Sequence, residues 1–239
     1  MILAVVIGSF LGVVVRRLPQ GRPIIWSRSR CEFCQAALTT RDLLPLISWA
    51  LARGRCRRCG HSLGWFYPAI EIAAAMVALL ALAVDGTSRV GLDCLLGWWL
   101  LALAWIDLRH RVLPDTLTLP LIAVGLAAAA LSDPGRLLDH ALGALFGYLA
   151  LRVTALGYRV VRGREGLGGG DAKLLGAAGA WLGLAAMPQV ILGAALVALA
   201  TVGALWLGGV RLGAQSAIPF GPFIALLTWA IWLFGPLPL

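Results

Sequence analysis

The sequence predicts an all-α polytopic membrane protein with about eight transmembrane helices. Of its 239 residues, 60% are hydrophobic and only 13% are charged, whereas soluble domains carry about 25% charged residues. Apolar runs of about 18 residues recur along the chain, which is close to the length that crosses a bilayer as a helix. Positive charges gather in alternate loops between these runs. Together these patterns exclude a large soluble domain.

The order of apolar and polar segments gives the expected organisation. The predicted spans are residues 1–15, 67–84, 91–107, 116–132, 137–158, 173–187, 189–208 and 217–235. The first run has no positive region before it and no clear small-residue cleavage site, so we expect a retained span rather than a signal peptide. We therefore expect a first helix over 1–15, a polar loop over 16–66 and a seven-helix membrane domain over 67–239.

Charge bias predicts the orientation of the spans. On one side of the alternation the loops hold nearly all the arginines, and the opposite side has only Arg89 and Arg136. Because cytoplasmic loops of membrane proteins are enriched in Lys and Arg, we expect the arginine-rich loops in the cytoplasm and both termini outside. These loops are residues 16–66, 108–115, 159–172 and 209–216. The net charge of +9 thus indicates topology and contact with lipid rather than nucleic-acid binding.

Four cysteines in the first cytoplasmic loop predict a metal site. They form two CxxC pairs, Cys31 with Cys34 and Cys56 with Cys59, close to the spacing of a zinc ribbon. Four thiolates complete a tetrahedral shell and leave no position for water, so we expect structural zinc that orders this loop. Disulfides are the alternative, disfavoured in the cytoplasm, and His61 is a competing ligand.

Two acidic motifs on the same predicted membrane face are the candidate catalytic groups. Asp107 lies at the end of the third span, and Asp171 follows a glycine run before the sixth. Two carboxylates that share one proton can act as general base and general acid in peptide hydrolysis. Glycines such as Gly168 and Gly170 leave room for a substrate backbone near Asp171, and Lys173 is a further supporting residue.

Each aspartate also has a structural interpretation. Asp171 could cap the sixth helix, and Asp107 could pair with Arg109 or Arg111 at the membrane surface. Asp115 follows Pro114 directly, and we expect it to be the N-cap of the fourth span.

These motifs, in this order, resemble the prepilin peptidase family, also called type IV leader peptidases, which are GxGD intramembrane aspartyl proteases. The resemblance runs along nearly the whole chain. It is carried by the opening segment 8–19, the paired CxxC loop, residues 44–49, the Tyr67-Pro68 pair with Glu71, and segments 107–115, 168–173 and 218–223.

The resemblance implies that Asp107 and Asp171 cleave the short basic leader from prepilins or pseudopilins, at the cytoplasmic face of a bacterial inner membrane. Many bacterial members also methylate the new N-terminus with S-adenosylmethionine, an activity attributed to the cytoplasmic loop and nearby spans. Glu71 is the candidate cofactor-binding residue. Glu32 and Phe66 stand where the family usually has Pro and Arg, and these departures bear on methyl transfer more than on proteolysis.

Three other functions are compatible with parts of the pattern. A transporter with a regulatory zinc loop would use acidic residues near mid-bilayer, but the key acids here lie at span ends. A methyltransferase without peptidase activity would not need both aspartates. A different GxGD protease would not need the cysteine loop.

Overall fold

The computed structural model describes residues 1–25, 28–87, 89–163, 168–210 and 218–237. Within these ranges the chain is helical, and its only β-pairing consists of two isolated bridges. The α-helices are α1 (Ile2–Arg17), α2 (Ile47–Leu51), α3 (Phe66–Asp85), α4 (Val90–His110), α5 (Asp115–Ser132), α6 (Leu137–Arg162), α7 (Gly169–Leu182), α8 (Met187–Leu207) and α9 (Gly221–Phe234).

The predicted all-helical membrane fold is confirmed. Among the described residues, six helical segments are long and apolar enough to cross a bilayer: Ile2–Gln20, Phe66–Val84, Val90–His110, Asp115–Ser132, Pro134–Arg162 and Met187–Leu207. The remaining two predicted spans correspond to α7 and α9, which have 14 residues each. A helix of that length is about 21 Å long, short of a ~30 Å hydrocarbon core. The count of eight spans therefore stays a prediction.

The sixth predicted span, 173–187, is displaced from the helix that the structure contains. Helix α7 starts at Gly169 and ends at Leu182. It ends there because Gly183 adopts φ +82°, a left-handed conformation that glycine adopts without steric cost. Parts of three predicted cytoplasmic loops, residues 26–27, 164–167 and 211–216, and residue 217 of the last span lie outside the described residues.

The chain divides into two compact units, residues 1–102 and 103–239. In the first unit α1 packs closely on α3, and a Cβ on Gly8 would lie 2.7 Å from the Cα of Glu71. The Trp98 indole N–H donates to the carbonyl of Ala74 at 2.9 Å, which links α4 to α3. The loop with the four cysteines lies between α1 and α3, as the sequence predicts.

In the second unit α7 is the most enclosed helix, since Ala172 and every residue from Leu174 to Trp181 are buried. A Cβ on Gly179 would lie 2.1 Å from the carbonyl oxygen of Gly143, so α6 and α7 are in backbone contact. The Trp181 indole N–H donates to the carbonyl of Leu121 at 3.0 Å and joins α7 to α5. These contacts hold the C-terminal half of α7 against α6 and α5.

Candidate active site and metal centre

Asp107 lies in the last turn of α4, and only 5% of its surface is exposed. A buried carboxylate needs hydrogen-bond donors. Its Oδ2 accepts a hydrogen bond of 3.0 Å from the backbone N–H of Gly221, the first residue of α9. The contact joins two residues 114 positions apart in the sequence.

Asp171 is the third residue of α7 and is half-buried. It accepts a hydrogen bond from the backbone N–H of Gly168, the N-cap of this helix, so the capping interpretation describes one of its contacts. The charge of Asp107 acts on the Asp171 carboxyl. Asp171 therefore lies within electrostatic range of Asp107.

Leu113, in the turn between α4 and α5, packs between the helix ends that hold the two aspartates. The Leu113 side chain is buried. A Cβ on Gly170, the residue before Asp171, would lie 2.7 Å from the Leu113 Cβ. A Cβ on Gly221 would lie 3.3 Å from the Leu113 Cδ1 and 2.7 Å from the Asp107 Oδ2. The glycines thus permit a close approach of α4, α7 and α9 around the carboxylates.

The expectation that Asp115 is an N-cap is wrong. The N-cap position of α5 is Pro114, and Asp115 is the first helical residue. Its Oδ1 instead accepts a hydrogen bond of 2.5 Å from the Lys173 ammonium. The pair connects the first turns of α5 and α7, two residues beyond Asp171.

The second unit thus brings together the sequence-predicted residues Asp107, Asp171, Gly168, Gly170, Lys173 and Asp115 around three helix ends. Sequence reasoning assigned no role to Gly221, although it noted the segment 218–223 that contains it. Two neighbouring carboxyl groups can share one proton. This arrangement supports general acid–base chemistry on a water molecule.

The four predicted metal ligands also converge. The Sγ atoms of Cys31, Cys34, Cys56 and Cys59 all lie within 4.8 Å of one another, and those of Cys31 and Cys59 are 3.9 Å apart. Zinc–sulfur bonds of about 2.3 Å in a tetrahedron require sulfur atoms about 3.8 Å apart. The four thiols therefore fit a zinc ion.

The two halves of this centre repeat one local conformation. The N–H of Cys31 donates to the carbonyl of Ala36, and the N–H of Cys56 donates to the carbonyl of His61, in the corresponding position. Backbone N–H groups of Cys59 and Arg58 donate to the Cys56 sulfur and lower the pKa of its thiol to about 7. Against the lowering effect of the His61 N–H, burial and the neighbouring cysteines raise the pKa of the Cys59 thiol to about 11, so the pKa shifts within this cluster do not all favour the thiolate.

His61, the competing ligand considered from sequence, stacks on the Phe33 ring with centroids 4.2 Å apart. Among the described residues, the metal-compatible cluster consists of the four cysteines without this imidazole. The stacking of Phe33 on His61 links the turn that holds Cys31 and Cys34 to the turn that holds Cys56 and Cys59.

Glu71, the candidate cofactor-binding residue, is buried in α3 and forms a hydrogen bond with the loop that precedes α2. It accepts hydrogen bonds from the Leu46 N–H, at 2.8 Å, and from the Ser9 hydroxyl. Leu46 has φ +58° and precedes α2. The carboxylate therefore holds a turn in an uncommon backbone conformation against α1 and α3.

Two residues that depart from the family pattern meet at Arg16. The Arg16 guanidinium forms an ion pair with Glu32 and lies 4.6 Å from the Phe66 ring centroid and 4.7 Å from that of Tyr67. Cation–π contact and the ion pair connect the end of α1 to the first cysteine turn and to α3. Glu32 and Phe66 are thus neighbours of a single arginine.

Comparisons with known proteins agree along the chain. A model described as the bacterial peptidase A24 N-terminal domain matches residues 2–84, and one for the type IV leader peptidase family matches residues 94–204. A prepilin leader peptidase/N-methyltransferase of Dickeya chrysanthemi is 40% identical, covering 95% of this chain and 88% of the relative. Relatives with that name in Burkholderia pseudomallei strain 1026b (40% identity; 98% of this chain, 84% of the relative) and Stutzerimonas stutzeri (34%; 98% and 89%) are also similar. No solved structure matches.

Proposed function

Because this chain belongs to the type IV leader peptidase family, we propose that it removes the leader peptide from type IV prepilins or pseudopilins with Asp107 and Asp171 as its catalytic pair. The observation that carries this proposal is the burial of Asp107 beside Asp171 at the meeting of three helix ends. Curated relatives that cover most of this chain carry the name prepilin leader peptidase.

The chemistry needs one water and the proton that the pair shares. The ionised carboxylate takes a proton from the water, whose oxygen bonds to the scissile carbonyl carbon. The protonated carboxyl gives its proton to the carbonyl oxygen, and a tetrahedral intermediate forms. When the C–N bond breaks, the carboxyl that took the proton of the water gives it to the leaving nitrogen, and the other carboxylate takes a proton from a hydroxyl of the intermediate, so the pair again shares one proton. Gly168 and Gly169 leave the substrate backbone room to approach Asp171, whereas Leu113 fills the space beside Gly170, so the room expected there from the sequence is absent.

We propose that the same chain N-methylates the new N-terminus, as the names of its relatives indicate for them. S-adenosylmethionine is the methyl donor that we propose. Glu71 already accepts hydrogen bonds from Leu46 and Ser9, so it does not present an unoccupied carboxylate to that donor.

Zinc is the metal that we propose for Cys31, Cys34, Cys56 and Cys59. With four protein ligands it would leave no open position, so its contribution is structural. It would order a loop that has few buried apolar side chains of its own, because Cys31 and Cys56 are the buried hydrophobic residues among those that the structure describes within 16–65.

The proposed location is the bacterial inner membrane, with the catalytic pair on the cytoplasmic side. Asp107 lies next to Arg109, His110 and Arg111, and the positive-inside rule assigns such a loop to the cytoplasm. The proposed partners are prepilin substrates and membrane lipid; the basic residues suit anionic headgroups, and we propose no nucleic-acid partner. An apolar substrate helix can reach the site by diffusing within the bilayer.

Mass spectrometry of a co-expressed prepilin tests both activities at once. The expected product lacks the leader and carries one methyl group on its new N-terminus. Cleavage without methylation would reject the methyltransferase part alone. An intact leader, with the protein present in the membrane, would reject the peptidase function.

A further inference from the structure

The N-terminus of α9 contacts the candidate catalytic pair directly. The first N–H groups of a helix have no partner within the helix itself. Here the N–H of Gly221 donates to the Oδ2 of Asp107 at 3.0 Å, in a buried position. The next residue is Pro222, which has no N–H, so Gly221 supplies the donor at this helix end.

The space around this hydrogen bond admits no side chain on residue 221. A Cβ there would lie 2.7 Å from the Asp107 Oδ2, 3.2 Å from its Cγ and 3.3 Å from the Leu113 Cδ1. Leu113 in turn reaches Gly170, beside Asp171. The glycine therefore lets a backbone donor reach the carboxylate, while Leu113 fills the space between the helix ends.

We propose that Gly221 is a positioning residue for proteolysis: its backbone N–H holds one oxygen of Asp107 so that the other oxygen faces the attacking water. The inference rests on the proposed function, since it assigns a role within the same site. The donor is part of the backbone at a helix end, so it keeps its direction during the reaction. A hydrogen bond to the charged form also stabilises that form, which suits Asp107 to accept the proton of the water.

A purely structural alternative is that Asp107 only caps α9. Both interpretations predict the hydrogen bond, but they differ in what its loss does to turnover. Loss of a cap lowers stability, whereas loss of positioning lowers kcat while substrate binding is retained. The test therefore measures the hydrogen bond between Gly221 and Asp107 in one experiment and the effect of residue 221 on kcat in another.

Amide hydrogen exchange detects the hydrogen bond between the Gly221 N–H and Asp107, and it does not require the protein to cleave a substrate. Pro219 and Pro222 have no N–H, so residues 219–223 contain three exchanging backbone amides, one of which is Gly221. In Asp107→Ala, protection of the Gly221 amide should fall at least tenfold. In Asp171→Ala, which leaves the acceptor in place, its protection should stay at the wild-type level.

Cleavage kinetics then test whether Gly221 contributes to the turnover of the substrate. Gly221→Ala should lower kcat for leader cleavage at least tenfold, with KM within about twofold of wild type. The matched control is Gly193→Ala, whose Cβ would lie 2.7 Å from Leu227 Cδ1, also against α9 but at a flexible side chain. That variant should keep the wild-type kcat.

Either of two results would overturn the proposal. The first is unchanged protection of the Gly221 amide in Asp107→Ala. The second is a kcat in Gly221→Ala that matches wild type, or that falls no further than in Gly193→Ala. If the unaltered chain cleaves no prepilin, the proposed function fails, and the exchange measurement still decides whether Gly221 holds Asp107.

Discussion

The ion pair between Asp115 and Lys173 lies beside the proposed catalytic pair, and its effect on cleavage can be predicted quantitatively. Replacing Asp115 with Asn removes its charge and retains an oxygen that can accept from the ammonium. The Asp115 side chain is 57% exposed and that of Lys173 is 31% exposed. Solvent screens a pair in this environment, so we expect a contribution of at most about 1 kcal/mol.

That free energy corresponds to a factor of about five in an equilibrium. We therefore expect Asp115→Asn to reduce kcat/KM for leader cleavage by no more than about fivefold. Asp107→Asn should abolish cleavage, because it removes a reacting group. The contrast between the two variants separates a residue that aligns α5 with α7 from one that performs the chemistry.

The assay is cleavage of a purified prepilin by the full chain in nanodiscs. Asp133→Asn is a matched control: it removes a carboxylate near the opposite end of α5, where Asp133 accepts from the Gly135 N–H, and it should leave cleavage unchanged. The single variants Asp115→Lys and Lys173→Asp create like-charge pairs, and the double exchange should recover part of the lost activity.

Two results would refute the reasoning about this pair. If Asp115→Asn is as inactive as Asp107→Asn, Asp115 takes part in the reaction. If the double exchange is no more active than the worse single variant, the two side chains do not act on each other.

Two further predictions concern the metal centre and the helix packing. Purified protein should contain about one zinc per chain, and Cys34→Ser with Cys59→Ser should reduce this below half; metal analysis that finds no zinc in the unaltered protein would reject the site. Gly179→Ala should destabilise the protein by about 2 kcal/mol or more in thermal unfolding, because its Cβ would lie 2.1 Å from the Gly143 carbonyl oxygen. Gly203→Ala, which meets nothing within 4 Å, should be neutral, and equal stability of the two variants would contradict the packing.

Features encoded by local sequence were predictable. Apolar runs identify the helices because burying an unpaired backbone in lipid is costly, and six of the helices have the required length and composition. The CxxC spacing predicted the cysteine cluster because each pair forms its own tight turn. The family signature likewise depends on short motifs in a fixed order, and the family assignment is confirmed.

Features that depend on distant contacts were not predictable. Asp115 resembles an N-cap because its local sequence, after Pro114, is typical of one, but its partner Lys173 is 58 residues away. Gly221 gave no local signal for its bond to Asp107, which lies 114 positions earlier. The end of α7 depends on the positive φ of Gly183, and hydropathy does not detect a single backbone conformation within an apolar run.

The paired carboxylates are the central claim, and cleavage by two single variants tests it most directly. Asp107→Asn and Asp171→Asn should each leave a co-expressed prepilin with its leader intact, while the variant proteins reach the membrane in wild-type amounts. Full removal of the leader by either variant would contradict the account.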